Sequence, residues 1–326
     1  MWQLKNIPNR ELLLFFIVVS LIFCLFSPVF RSAGNVENIL IGFSHLGILA
    51  IGQALPILMR GIDLSVGSIL ALVGMVMFDG YVIFQLPGYI VIPIAIAVGT
   101  LAGAINGILI TRFRIQPFIT TLATMAAYRG ITYAISGRQL VPSSATQSID
   151  DELLSMFDEF IGIFPYAFFL LLLVLVISQY ILSRTRIGLD LYTVGGNPEA
   201  ARLCGIKVDK MIIISYAFSG FCAALAAIVM VSQMTTSTEN LGIGIELTAI
   251  AAAVIGGISL KGGVGNAFGP AIGAFLLGVI LVGLTLTGIS TYAQPVITGA
   301  ILIGAVAYDR FKFNKRLGQN ALGANV

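Results

Sequence analysis

Long apolar runs recur from one end of the chain to the other, and no other sequence feature constrains its fold as strongly. They fall at about 12–30, 37–59, 64–86, 89–111, 116–136, 160–183, 211–232, 246–258, 266–287 and 291–308, with charges, Pro and Gly between them. A helix needs about 20 mainly apolar residues to cross the hydrocarbon layer of a bilayer. Within that layer it satisfies its backbone polar groups internally. Composition agrees: 58% of residues are hydrophobic and 10% charged, against roughly 25% charged in a water-soluble domain. The mean hydropathy is +0.99. The 36 glycines suit close helix packing in a membrane. These features predict an all-α fold, a polytopic transmembrane bundle of about ten spans forming a single domain over 1–326. The shortest run, 246–258, predicts either a broken helix or one that continues through Gly256-Gly257. The first run is too long for the core of a secretory signal and no A-x-A site follows it, so a retained first helix is expected.

Orientation follows from Lys and Arg, which gather in cytoplasmic loops. With ten spans and both termini cytoplasmic, the inner side holds Lys5, Arg10, Arg60, Arg112, Arg114, Arg184, Arg186, Arg202, Lys207, Lys210, Lys261, Arg310, Lys312, Lys315 and Arg316. Only Arg31 and Arg138 fall outside, a bias of fifteen to two, and Arg129 falls within a span. An odd number of spans would invert half the loops and spoil this agreement. Two loops exceed a turn, an outer one at about 137–159 and an inner one at about 184–210. The outer loop carries Asp150, Asp151, Glu152, Asp158 and Glu159. The tail from Leu317 is expected to be disordered.

Several chemistries lack their residues. Cys24, Cys204 and Cys222 have no metal-type or C-x-x-C spacing, and His45 is the single histidine. The glycines between Gly256 and Gly273 lack the strand–turn–helix context of a nucleotide loop and read as helix-packing positions. Two internal matches, Gly61-Ile62-x-Leu64-x-x-Gly67 with Gly257-Ile258-x-Leu260-x-x-Gly263 and Gln116-Pro117-x-Ile119-Thr120 with Gln294-Pro295-x-Ile297-Thr298, differ in spacing. The second pair also falls on oppositely directed helices, so both read as coincidence.

The inner loop carries the most local information. Gly195-Gly196-Asn197-Pro198 is turn chemistry. Asn197 is suited to cap a helix that begins at Pro198, with Glu199 favoured in its first turn. Ala200, Ala201 and Arg202 favour helix, and Gly205 ends it. The segment therefore predicts a rigid turn and a short cytoplasmic helix over 197–204. Its small-residue surface is one that another protein could pack against closely. A plain connecting loop is the alternative.

This loop resembles the coupling segment of permease subunits of bacterial ABC importers, and the chain more narrowly resembles the ribose-type monosaccharide permease family. Four segments carry the resemblance: GIDLSVGSILALVG at 61–74, QPFITTLATMAAYRG at 116–130, GGNPEAARLCGIKV at 195–208 and ELTAIAAAVIGGISLKGGVGNAFGPAIGA at 246–274. Arg60 and Lys261 depart from the family pattern, each adding charge near the inner mouth. The resemblance implies a bacterial inner-membrane permease, not an enzyme, that moves a monosaccharide or related polyol by alternating access. Its implied partners are an ATPase subunit, a periplasmic sugar-binding protein, a second permease copy (identical or sister) and the lipid bilayer, with no nucleic acid. Gly196, Asn197, Pro198, Glu199, Ala200, Ala201, Arg202 and Gly205 would couple to the ATPase. No cofactor is expected in this chain, since ATP and Mg would sit on the partner. The chain has no G-x-x-x-x-G-K-[ST] loop, consistent with that.

Five residues are candidates for the translocation path: Asp63, Ser65, Ser68, Arg129 and Lys261. The segment Gly61–Ser68 is expected either to cap a helix through Asp63, which could also pair with Arg60, or to form a break offering polar groups to a sugar. Arg129 is expected either to snorkel at the outer end of its span or to face the interior, with Glu246 as partner. Arg31 and the outer loop face a delivering protein or solvent. A self-sufficient secondary transporter is the second hypothesis. It would need acids within spans, for which only Asp63 and Asp79 qualify. A membrane-embedded enzyme lacks a nucleophile–base pair.

Overall fold

The computed structural model describes residues 9–136 and 152–323. Each apolar run carries a helix: α1 Arg10–Phe26, α2 Ala33–Leu58, α3 Val66–Phe78, α4 Gly88–Phe113 and α5 Pro117–Ser136 in the first half. The single turn α6 Glu152–Ser155 precedes α7 Tyr166–Arg184, then α8 Arg186–Gly196, α9 Pro198–Leu203 and α10 Val208–Met234. The chain closes with α11 Ile245–Ile255, α12 Phe268–Leu286 and α13 Gln294–Gly323. Among the described residues, six helical stretches are long and apolar enough to cross a membrane: α2, α3 with its π-helical continuation to Ile83, α4, α7, α10 and α12. The protein is a polytopic helical membrane protein.

The structure corrects four expectations. A two-residue β-ribbon, β1 Phe160–Ile161 against β2 Phe164–Pro165, takes up the start of the sixth run, so α7 begins only at Tyr166. Arg138, Asp150 and Asp151 lie outside the described residues, but the next stretch of the expected outer loop is folded onto the bundle. There Leu154 is buried and its carbonyl accepts a 2.7 Å hydrogen bond from Ser232 of α10. Past Leu317, where disorder was expected, α13 stays helical to Gly323. The inner loop holds a second helix, α8, that turn chemistry does not signal. Thr185 caps it, accepting from the Gly188 amide at 3.3 Å, and Leu191 and Val194 bury its apolar face. The short run 246–258 is indeed a broken helix. α11 stops at Ile255, and Gly257 turns the chain at φ +89°.

The core lies among α2, α3, α10 and α12, where α2 is buried continuously from Leu46 to Leu58. The closest seam joins α4 to α10. Gly99, Gly103 and Gly107 recur at four-residue spacing along α4, so they share one face. A Cβ on Gly103 would stand 3.0 Å from the Cα of Gly220 on α10, and one on Gly107 would stand 2.6 Å from the Cα of Ile213. Without a hydrophobic driving force inside lipid, such backbone approach is what gives helices their van der Waals contact.

Packing relates α2–α5 to α10–α13. α2 and α10 pack on each other. α10 packs on α4 and α3, as α2 does on α12 and α11. Likewise α3 lies on α4 and α5, as α11 lies on α12 and α13. The two QPxIT elements open α5 and α13, which occupy corresponding places. An inverted repeat requires corresponding helices to run in opposite directions, so the direction that argued for coincidence fits this packing instead. The glycine pair does not correspond: Gly61 precedes α3, whereas Gly257 follows α11.

Candidate functional site

The chain between α2 and α3 passes through the bundle without helical hydrogen bonding, and side chains from α2, α4, α5 and α10 satisfy it. Asp63 is fully buried. Its Oδ1 accepts from the Ser65 amide at 3.0 Å and the Ser65 hydroxyl at 2.6 Å, and its Oδ2 accepts from Ser219 Oγ of α10 at 2.8 Å. Gln53 of α2 donates to the Asp63 carbonyl at 2.5 Å. Asn106 of α4 donates to Ser65 Oγ at 2.7 Å, and Ser68 donates to the Ser65 carbonyl at 2.8 Å. From α5, Thr121 donates to the Ile62 carbonyl at 3.0 Å, while Tyr128 donates to the Ala102 carbonyl of α4 at 2.9 Å. A buried carboxylate is costly unless hydrogen-bonded, and three donors meet this one. Asp63, Ser65 and Ser68 are thus brought together, each at most 1% exposed in this conformation. Asp63 does not cap α3, which begins at Val66 after an N-cap Ser65 that makes no side-chain cap bond. Nor does it pair with Arg60.

Sequence reasoning missed Gln53, Asn106, Ser219 and Tyr128. Their signal was a polar side chain inside an apolar run, which in a membrane protein points inward.

Arg129 lies apart from this cluster, half-buried on α5. Its Nη1 donates to the carbonyls of Glu239 at 2.6 Å and Leu241 at 3.0 Å. Tyr133, one turn further, donates to Asn240 Oδ1 at 3.3 Å. α5 therefore clamps the 235–244 connection between α10 and α11. Glu246 makes no close ion pair with Arg129, though the two charges attract across the gap; its carboxylate packs over Gly67 of α3.

At one face, α8 and α9 form an elbow. Asn197 Oδ1 accepts from the amides of Glu199 and Ala200, both at 3.1 Å, with Pro198 in the first turn of α9. Ala201 is buried beneath α9, and Gly205 ends it at φ +80°. Arg202 lies 3.7 Å from Asp209, which Arg114 grips through two hydrogen bonds at 2.9 and 3.1 Å. This ties the end of α4 to the start of α10. Glu199, Ala200 and Leu203 face outward, Leu203 at 90% exposure.

The elbow is fastened at two points. Arg60, in the left-handed region at φ +63°, donates from Nε to the Gly195 carbonyl at 2.7 Å and from Nη2 to the Gly196 carbonyl. A cation on the last carbonyls of α8 suits the helix dipole. The turn after α11 joins in: the Gly263 amide donates to the Leu58 carbonyl at 3.0 Å, and Tyr192 of α8 donates to the Gly265 carbonyl at 2.7 Å. Burial raises the Tyr192 phenol pKa, which keeps that proton in place. Gly195 must lack a side chain, because a Cβ there would stand 2.7 Å from the Gly263 amide nitrogen. Between elbow and turn opens a cleft of about 550 Å³, lined by Arg60, Gly196, Lys261, Gly262, Gly263 and Val264.

A bundle of apolar helices with a polar break in its core and a braced elbow at one face defines a membrane-embedded transport component. A family profile described as "Branched-chain amino acid transport system / permease component" matches residues 35–306, and the chain belongs to that family. It is 35% identical to the ribose import permease protein of Haemophilus influenzae over 311 residues, 95% of each chain. It is 35% identical to the D-allose transport system permease protein of Escherichia coli over 294 residues, 90% of this chain and 89% of that one. Against the galactose/methyl galactoside import permease protein of Salmonella typhimurium, identity is 33% over 304 residues, 89% and 90% of the two chains.

Proposed function

We propose that this protein is the membrane subunit of an ATP-driven importer for a monosaccharide or related polyol. The braced elbow carries the reading, and the relatives named for ribose, allose and galactose import support its substrate class. Arg60 and the 257–265 turn hold α8 and α9 rigidly against the bundle, so a partner seated on α9 would push the spans rather than bend a loop. In this reading the chain is one transmembrane domain crossing the bacterial inner membrane ten times, with both termini cytoplasmic. It pairs with a second permease copy. ATP and Mg sit on docked ATPase subunits, and a periplasmic binding protein delivers the sugar to the outer face. Gly196 to Arg202 and Gly205 form the docking segment. Asp63, Ser65, Ser68, Arg129 and Lys261 border the path, which opens to one side at a time. The ladder of polar contacts around Asp63 would be the part exposed to the solute when the helices rock.

Purification of the tagged protein from its native membrane tests this. An ATP-binding subunit should co-purify at one to one and be lost when Gly196–Glu199 is replaced. If the protein purifies alone and solute equilibrates across liposomes without ATP, the importer reading fails and a self-sufficient transporter takes its place.

A further inference from the structure

The ribbon β1–β2 holds apolar side chains out from the bundle on a fixed mount. Phe160, Ile161, Ile163 and Phe164 are 40, 55, 43 and 39% exposed. No residue from Phe160 to Phe169 carries a charge, and Glu159, which is exposed, stands just before the ribbon. Gly162 turns the chain at φ +66°, and the Tyr166 amide closes the base by donating to the Glu159 carbonyl at 3.0 Å. Pro165 is buried and β2 packs on α2. The Phe164 ring stacks on Phe168 with 5.4 Å between centroids, and Phe168 meets Phe275 of α12 edge-on at 6.0 Å.

α7 indicates what covers this apolar tip. Its exposed residues Phe169, Leu173, Val176 and Tyr180 recur every three or four positions, so they form one stripe along the helix. On a spanning helix, an exposed apolar stripe is the face that lipid covers. Phe164 lies 6.3 Å from Phe169 between ring centroids, so the ribbon continues that stripe beyond the end of α7. At 1.5 Å per residue α7 is about 28 Å long, close to the roughly 30 Å of a hydrocarbon layer. Its far end leads into α8 and the elbow. The ribbon therefore falls at the boundary of that layer. Its unpaired strand edges need water or headgroups, and the boundary supplies both.

We propose that the ribbon is an interfacial anchor, with Phe160, Ile161, Ile163 and Phe164 inserted at the headgroup–acyl boundary of the bilayer on the side away from the elbow. It fixes the depth of one end of α7 and limits the tilt of that helix, while the other end carries the elbow. The inference needs only a membrane and holds whatever solute the protein moves.

Trp2 is the only tryptophan in the chain, so Trp2→Phe combined with Ile161→Trp leaves one indole, at the ribbon. In phosphatidylcholine liposomes its emission should shift to the blue and resist acrylamide. Lipids brominated near the glycerol should quench it more than lipids brominated near the chain end. Leu173→Trp in the same background should show the reverse order, and Ile163→Trp should repeat the Ile161→Trp result if that variant fails to fold. The proposal is overturned if the ribbon indole emits as in water, open to acrylamide and untouched by brominated lipid, since the tip would then be left to a soluble partner. It is equally overturned if the emission is blue-shifted but no brominated lipid quenches it, since protein, such as a second copy of this chain, would then cover the ribbon.

Discussion

At the residue scale, the environment of Asp63 makes a sharp prediction. Asn in its place keeps the shape but exchanges one acceptor oxygen for an NH2 donor facing hydroxyls that already donate. Asp63→Asn should leave the protein assembled but lower its melting temperature in detergent and its sugar uptake, at a cost of about 1–3 kcal/mol. Combining it with Ser219→Ala should give less than the sum of the two losses, because both changes remove one contact. Full retention of uptake by Asp63→Asn would show that the break plays no part in transport. Arg129 makes the opposite prediction for pairing. Its guanidinium holds backbone carbonyls, so Arg129→Ala and Glu246→Ala should be additive in thermal unfolding; strong coupling would restore the expected pair. The sequence marked Asp63 and Arg129 as unusual but did not place the groups that hold them. Arg60 lies 135 positions from the glycine it binds, and no local pattern encodes so distant a contact. Asn197 was legible because capping chemistry acts across three residues.

At the element scale, the helices were legible wherever length and apolarity coincided, and unclear where only tertiary contacts decide. α8 is the instructive case. Its sequence, RIGLDLYTVGG, mixes β-branched residues and glycines that favour no helix on their own. Burial of Leu191 and Val194 against the bundle makes it helical. The ribbon at 160–165 is the reverse case, an apolar segment whose turn and cross-strand pairing take it out of the span. α9 contributes a residue that capping logic overlooked. Leu203 is a large apolar side chain standing clear of the bundle at the tip of the elbow, the kind of anchor on which interfaces concentrate binding energy. Leu203→Asp should abolish ATPase co-purification while leaving detergent-solubilised monodispersity and melting temperature unchanged. Retention of the ATPase would move the docking surface off α9.

At the scale of the whole molecule, the α4–α10 seam joins the two related sets of helices, and it does so through backbone contact. Gly103→Leu should therefore force the helices apart, costing about 1–3 kcal/mol or more by overpacking. The readout is loss of folded protein on fluorescence size-exclusion chromatography, and wild-type behaviour would mean that the seam is looser than described. The abundance of glycine was visible in the sequence, but which glycines face one another was not, since that depends on how helices from distant parts of the chain are paired.

The two-point mounting of the elbow has a kinematic consequence. One fixing lies at the end of α2, in the first set of helices, and the other in the turn after α11, in the second. A plate bolted to two arms cannot swing on one alone. Motion imposed at α9 would be shared between the sets, as in a linkage with a single degree of freedom, so the adjoining ends of α2 and α11 are constrained to move in step.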